Sequence, residues 1–155
     1  MAEKQRGKPT TSQLLTMIRG ASTFEEATEY HRSAQDPRFH DYLFQLMEER
    51  GTSAKEVIRQ SGIERSYFYH ILSGAKNPGR NMVLRIGLCL RTSLKEMNQL
   101  LRLAGLSELY SRRRRDAVLI YAVTHQKSME EANALLQEAQ EERLYQDEHE
   151  RRTDF

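Results

Sequence analysis

Residues 53–78 read SAKEVIRQSGIERSYFYHILSGAKNP, and the way this stretch folds decides what the rest of the chain must be. Ser53 stands three residues before Glu56, the spacing at which a hydroxyl takes the third amide of a new helix while the carboxylate returns to the amide of the cap. That pair starts a helix at Ala54. Val57 and Ile58 give the helix one apolar edge, and Gly62 follows where the chain has to turn without a side chain in the way. Ile63 re-enters the core. Phe68, Ile71 and Leu72 then fall on one face of a second short helix, which Gly74 and Asn77-Pro78 close. Two short helices about a glycine-bearing turn are the helix-turn-helix arrangement that sets a recognition helix in the major groove of DNA.

Gly51, Thr52, Ser53, Gly62, Ile63, Arg65, Ser66, Ile71, Gly74 and Asn77-Pro78 are spaced as in the lambda-repressor/Cro-type (XRE-like) DNA-binding domains, which residues 38–104 resemble. The resemblance implies a five-helix bundle and assigns base-edge contact to the positions of Arg65, Ser66 and His70. An Arg there can read guanine bidentately, and the other two can hydrogen-bond less selectively. Tyr69 lies on the same outer face when Phe68 points inward, and offers a hydroxyl to phosphate or an apolar edge to a thymine methyl. Ser73, Lys76, Asn77 and Arg80 follow the helix and can donate to phosphates, which fixes register without reading sequence. Four positions depart from the family: Ala54 stands where Gln is usual, Ile58 where a small residue is, Ser61 where a large apolar one is, and Glu64 where a Ser or Thr caps the recognition helix.

The chain has 155 residues, 30% of them charged, with one cysteine, no tryptophan and three prolines, a composition that suits a helical globular protein. Its apolar runs fall short of the roughly 18 residues a membrane span needs. The polar start from Met1 to Thr10 lacks the apolar block of a signal peptide, and these features together predict a cytoplasmic protein without membrane contact. Cys89 lies in the apolar run Ile86 to Leu90 and is read as a small buried hydrophobe rather than a nucleophile. His31, His40, His70, His125 and His149 show no zinc-ligand spacing, so no metal is expected. There is no phosphate-binding glycine loop and no nucleophile elbow, so neither an enzyme nor a cofactor is expected.

The net charge of +2 is small but unevenly spread. Residues 81–115 hold 8 basic and 2 acidic groups, whereas residues 116–155 hold 4 and 10. Arg112, Arg113, Arg114 and Arg115 are the densest charge in the chain. Four cations at a helix start oppose the macrodipole, so an anion such as phosphate, or the acidic tail, would relieve them.

In chain order, Met1 to Ser12 reads as an arm, followed by a short helix from Gln13 to Ile18 and another capped by Thr23 with Glu26. Asp36-Pro37 breaks the second. Phe39, Tyr42, Leu43, Leu46 and Met47 place a helix over 38–50. After the central stretch, Met82 to Leu90 and Leu94 to Leu103 form two more, the last capped by Ser93 and Glu96. Asn81 to Tyr110 then recurs as Asp116 to Tyr145, 35 residues on, with ten identities in thirty positions that include Ser93/Ser128, Glu96/Glu131, Asn98/Asn133 and Leu101/Leu136. The expected organisation is therefore all-α: an N-terminal arm and helices over 1–37, the DNA-binding bundle over 38–106, a second helical hairpin over 107–145 and a charged tail over 146–155. Leu119, Val123, Leu135 and Leu136 are expected to pack that hairpin on the bundle or on a second copy.

Two functions remain open on the sequence. The first is a sequence-specific regulator of transcription that binds double-stranded DNA as a homodimer, since one short helix reads too few base pairs for selectivity. The second is an interaction adaptor, in which the bundle is scaffold while Tyr67, Tyr69 and the C-terminal hairpin meet a protein partner.

Overall fold

The computed structural model describes residues 9–146, and within them the chain is all-helical, with nine helices and no strand. Residues 1–8 of the expected arm and 147–155 of the expected tail lie outside the described residues. Contacts divide the chain after Pro37. The first unit holds α1 (Thr11–Arg19) and α2 (Phe24–Ser33), which pack on each other. α1 begins earlier than the apolar pattern suggests, because Thr10 and Gln13 form a capping box that draws Thr11 and Ser12 into the helix. Thr23 caps α2 by accepting from the amide of Glu26, but the Glu26 carboxylate goes to the Ser22 amide and the Tyr30 hydroxyl rather than back to the cap. That hydroxyl bond, more than the amide bond, lowers the pKa of Glu26.

The second unit holds α3 (Phe39–Glu49), α4 (Ala54–Ser61), α5 (Arg65–Leu72), α6 (Arg80–Cys89), α7 (Leu94–Leu103), α8 (Arg114–Thr124) and α9 (Met129–Glu138). α3 packs on α5 and α7, and α4 on α5 and α6. Leu43, Leu46, Val57, Phe68, Ile71, Val83, Leu84, Ile86, Met97 and Leu100 fill the space between them. Each such side chain, withdrawn from water, contributes about 1.5–3 kcal/mol. Arg85 is buried among these apolar residues, donating to the Ser61 carbonyl at 2.8 Å and lying 5.7 Å from the centre of the Tyr145 ring. α6 is thereby tied both to the end of α4 and to the chain that follows α9. Cys89 is partly rather than fully buried.

The two hairpins α6–α7 and α8–α9 repeat one another down to single hydrogen bonds. α7 and α9 begin with capping boxes, Ser93 with Glu96 and Ser128 with Glu131. Asn98 accepts from the Leu109 amide at 2.9 Å, and Asn133 from the Leu144 amide at 2.6 Å. Arg80 donates to the Ser107 carbonyl and Arg115 to the Glu142 carbonyl, each at 2.8 Å. Arg91 and Gln126 both turn the corner before the second helix with φ 55°.

Between the hairpins the bonds cross reciprocally. Arg80 reaches Asp116 at 3.2 Å, and its counterpart Arg115 reaches Asn81, the counterpart of Asp116, at 2.9 Å. Arg91 donates to the Gln126 carbonyl, and the Gln126 amide donates to the Thr92 carbonyl at 3.2 Å. α7 lies on α8 as α6 lies on α9. Exchange of this kind marks an approximate two-fold relation rather than a translation, because each half offers the same surface to the other.

Candidate nucleic-acid interface

α4 ends at Ser61, and Gly62 takes up φ 73°, a left-handed conformation that costs a residue without Cβ little. Ile63 is buried and its amide is held by the Ser61 hydroxyl at 3.2 Å, so the turn is anchored on both sides. Glu64 then caps α5. Its two carboxylate oxygens accept from the amides of Tyr67 at 2.9 Å and Ser66 at 3.1 Å, and these bonds, the Tyr67 amide first, lower its pKa. Three residues therefore separate two eight-residue helices.

α5 is fixed by Phe68 and Ile71, both fully buried, and by Leu72, packed against the same core. Gly74, at φ 86°, lies so close to the His40 ring that an added Cβ would stand 2.7 Å from it. The end of α5 is thus held against the start of α3. Arg65, Ser66, Tyr69 and His70 are all exposed. The Arg65 guanidinium stands 5.5 Å from the centre of the Tyr69 ring, and that ring meets Phe68 edge-on at 6.5 Å. These contacts orient two of the four predicted base-contacting side chains relative to one another. Tyr67 is half-buried and packs against the core.

The residues expected to meet phosphate divide into two groups. Lys76, Arg112, Arg113 and Arg114 are exposed. Ser73 ends α5 with its hydroxyl donating to the His70 carbonyl, and the Asn77 amide donates to the Ala104 carbonyl at 2.8 Å. Arg80 and Arg115 hold the duplicated hairpins together through the bonds described above. Arg115 is half-buried and burial lowers its pKa, with Glu142 and Asp116 opposing. The run Arg112 to Arg115 is therefore divided: Arg115 is part of the fold, Arg114 stands 3.9 Å from Glu141, and Arg112 and Arg113 project from the start of α8. The relief anticipated from the acidic C-terminal side comes in part from this segment after α9.

Sequence reasoning missed the internal roles of Arg80 and Arg115, although both stand at the same place in the repeat, one residue before the repeated segment. Among the described residues no helix is long and apolar enough to cross a membrane. No family model, no curated protein and no solved structure matches the chain.

Proposed function

We propose that the protein is a sequence-specific regulator of transcription that binds double-stranded DNA as a homodimer, with α5 entering the major groove. In this reading α3 to α7 are a bundle of lambda-repressor/Cro type and α4–α5 its helix-turn-helix. The observation that carries the reading is the outer face of α5, where Arg65, Ser66, Tyr69 and His70 are exposed while Phe68 and Ile71 fix the helix from behind. Lys76, Arg112 and Arg113 bind phosphates and so orient the protein without reading bases.

Selection of bound duplexes from a random pool at fixed salt tests this. The wild-type chain is expected to enrich one sequence. Arg65→Ala is expected to fold normally, since the side chain is exposed, and to lose preference at one base position at a cost of about 1–3 kcal/mol. An unchanged enriched sequence and affinity would remove α5 as the reader. Replacing Arg112 and Arg113 with Gln is expected to lower the slope of log affinity against log salt by about 0.9 for each phosphate no longer neutralised, leaving base preference intact.

A second reading, an adaptor that binds a protein partner through the C-terminal hairpin, is favoured by two observations. The side chains of Asn77, Arg80 and Arg115 are engaged within the protein, which leaves fewer donors for phosphate. α8 and α9 also leave an apolar groove open. Affinity capture with a chain altered at that groove, run beside the duplex selection, separates the two readings.

A further inference from the structure

The hairpins are copies, yet they are not equally covered. Met82, Val83, Ile86 and Leu100 are buried in the first. Their counterparts 35 residues on are Ala117, Val118, Tyr121 and Leu135, and none of these is fully buried, with Tyr121 49% exposed. The difference follows from what lies against each copy. Helices α3 and α4 pack on α7 and α6, Arg50 pairs with Glu96, and Leu103 shares a surface with Phe39 and Ile71. Among the described residues of the second unit, no helix takes up the equivalent place on α8–α9. A groove of about 430 Å³ remains there, floored by Ala117, Val118, Tyr121, Leu135 and Ala139 and bordered at one end by Arg114 and Glu138.

We infer that this groove binds the same groove of a second copy of the chain. The charges select that occupant. Arg114 begins α8 and Glu138 ends α9, so in the antiparallel hairpin they stand at one end, on opposite sides. A two-fold axis running along the hairpin sets α8 of one copy over α9 of the other. Arg114, whose contact with Glu141 of its own chain is 3.9 Å long and 69% exposed on the arginine side, then faces Glu138 of the second copy, twice, while Val118, Tyr121 and Leu135 meet beyond it. A surface that complements itself under a two-fold is what a closed dimer requires. The Tyr121 ring, at the end of the groove away from Arg114, is already oriented by stacking on His125 at 4.1 Å, so a large amphipathic side chain stands ready there at low entropic cost.

The inference rests on the proposed DNA reading only for its purpose, since a dimer presents two copies of α5; the groove itself is independent of α5. Sedimentation equilibrium of the full chain without DNA, from about 1 to 100 µM, is expected to show a monomer–dimer equilibrium. Tyr121→Glu is expected to weaken it at least about tenfold. Arg114→Glu and Glu138→Arg are each expected to weaken it, and the two together to restore it, because the pairing is then inverted rather than broken. Thermal unfolding followed by circular dichroism confirms that the variants fold. A monomer throughout the range, or a dimer indifferent to Tyr121→Glu and to both charge reversals, overturns the inference. The two proposals fail separately. A chain that dimerises through the groove but enriches no duplex sinks the DNA reading alone, and one that reads a duplex as a dimer indifferent to the groove substitutions sinks the groove dimer alone.

Discussion

The hairpins α6–α7 and α8–α9 share their caps, corners and clamps, and differ in what fills and surrounds them. Met82 to Leu88 are buried without a break, whereas in α8 only Asp116, Leu119, Ala122 and Val123 are buried. Inside the first, Gly87 faces Met97, whose Cε leaves no room for an added Cβ; the same positions in the second are Ala122 and Ala132. A glycine against a long flexible side chain has become an alanine against an alanine, an exchange of volume across the hairpin. The polar bonds that set the shape stayed the same while the packing changed with the surroundings. Side-chain bonds to the backbone specify the hairpin, and apolar volume specifies what it sits against.

The largest expected effect tests whether the second copy is part of the same cooperative core. Leu101 and Leu136 occupy equivalent places and are both fully buried. Truncating either to Ala should destabilise the protein by about 2–5 kcal/mol, with the spread set by how far each site collapses. Because α8–α9 packs on α7 and α6, both variants are expected to shift one unfolding transition of the second unit, followed by chemical denaturation. If Leu136→Ala melts α8–α9 alone and leaves the main transition in place, the copies are separate folding units and the likeness between them stops at local geometry.

A smaller difference is expected at the asparagines. Asn133 is buried, accepts from the Leu144 amide at 2.6 Å and donates to the Tyr145 carbonyl at 3.0 Å. Asn98 is half-buried and accepts from the Leu109 amide. Removing an amide strands backbone groups at roughly 1–3 kcal/mol each when they are buried. Asn133→Ala should therefore cost more than Asn98→Ala, about 2 kcal/mol against 1. Equal losses in thermal unfolding would mean that the second bond of Asn133 adds nothing.

Much of this is legible in the sequence wherever one short window holds all the partners. Ser53, Ser93 and Ser128 each stand three residues before a Glu, and each forms the full box with it. Thr10 and Gln13 make the same box, but inside a polar window with no apolar period to mark a helix start. Roles that depend on distant partners are not legible. The carbonyls that hold Arg80 and Arg115 lie 27 residues along the chain, so local charge suggests phosphate where the fold supplies backbone. Arg85 is hidden for the same reason. Leu135 is expected to pack with Leu136 on the bundle or on a second copy; Leu136 is fully buried, while Leu135 is half-buried at the open groove, because the helix that covers its counterpart Leu100 has no equivalent among the described residues beside α8–α9. The exposure of Ser66, Tyr69 and His70 follows from helical period alone once Phe68 is placed inward, whereas Arg65 flanks that face and is exposed as the first residue of α5.

The smallest expected effect lies at the corner after the second helix of each copy. α7 ends with Gly105 at φ 79°, and α9 with Gln140 at φ 59°. The bonding is the same at both. The amides of Leu106 and Glu141 reach back five residues to the carbonyls of Leu101 and Leu136, closing the helix with a left-handed residue in between. No atom lies within 4 Å of where a Cβ on Gly105 would stand, so a side chain there meets no steric obstacle beyond its own backbone. The left-handed region costs a residue with a Cβ roughly 1–2 kcal/mol, which glycine avoids while losing part of the gain to its freer unfolded chain. Gly105→Gln should destabilise the protein and Gln140→Gly should stabilise it, each by about 1 kcal/mol or less. Gln126 is the control, since it too has a positive φ but donates its amide to the Thr92 carbonyl of the other hairpin. Gln126→Gly relieves the backbone and breaks that bond together, so it should gain less than Gln140→Gly. Thermal unfolding of the three variants decides the matter: if Gly105→Gln and Gln140→Gly move the midpoint in the same direction, the two corners are not equivalent and the copies diverge in backbone as well as in packing.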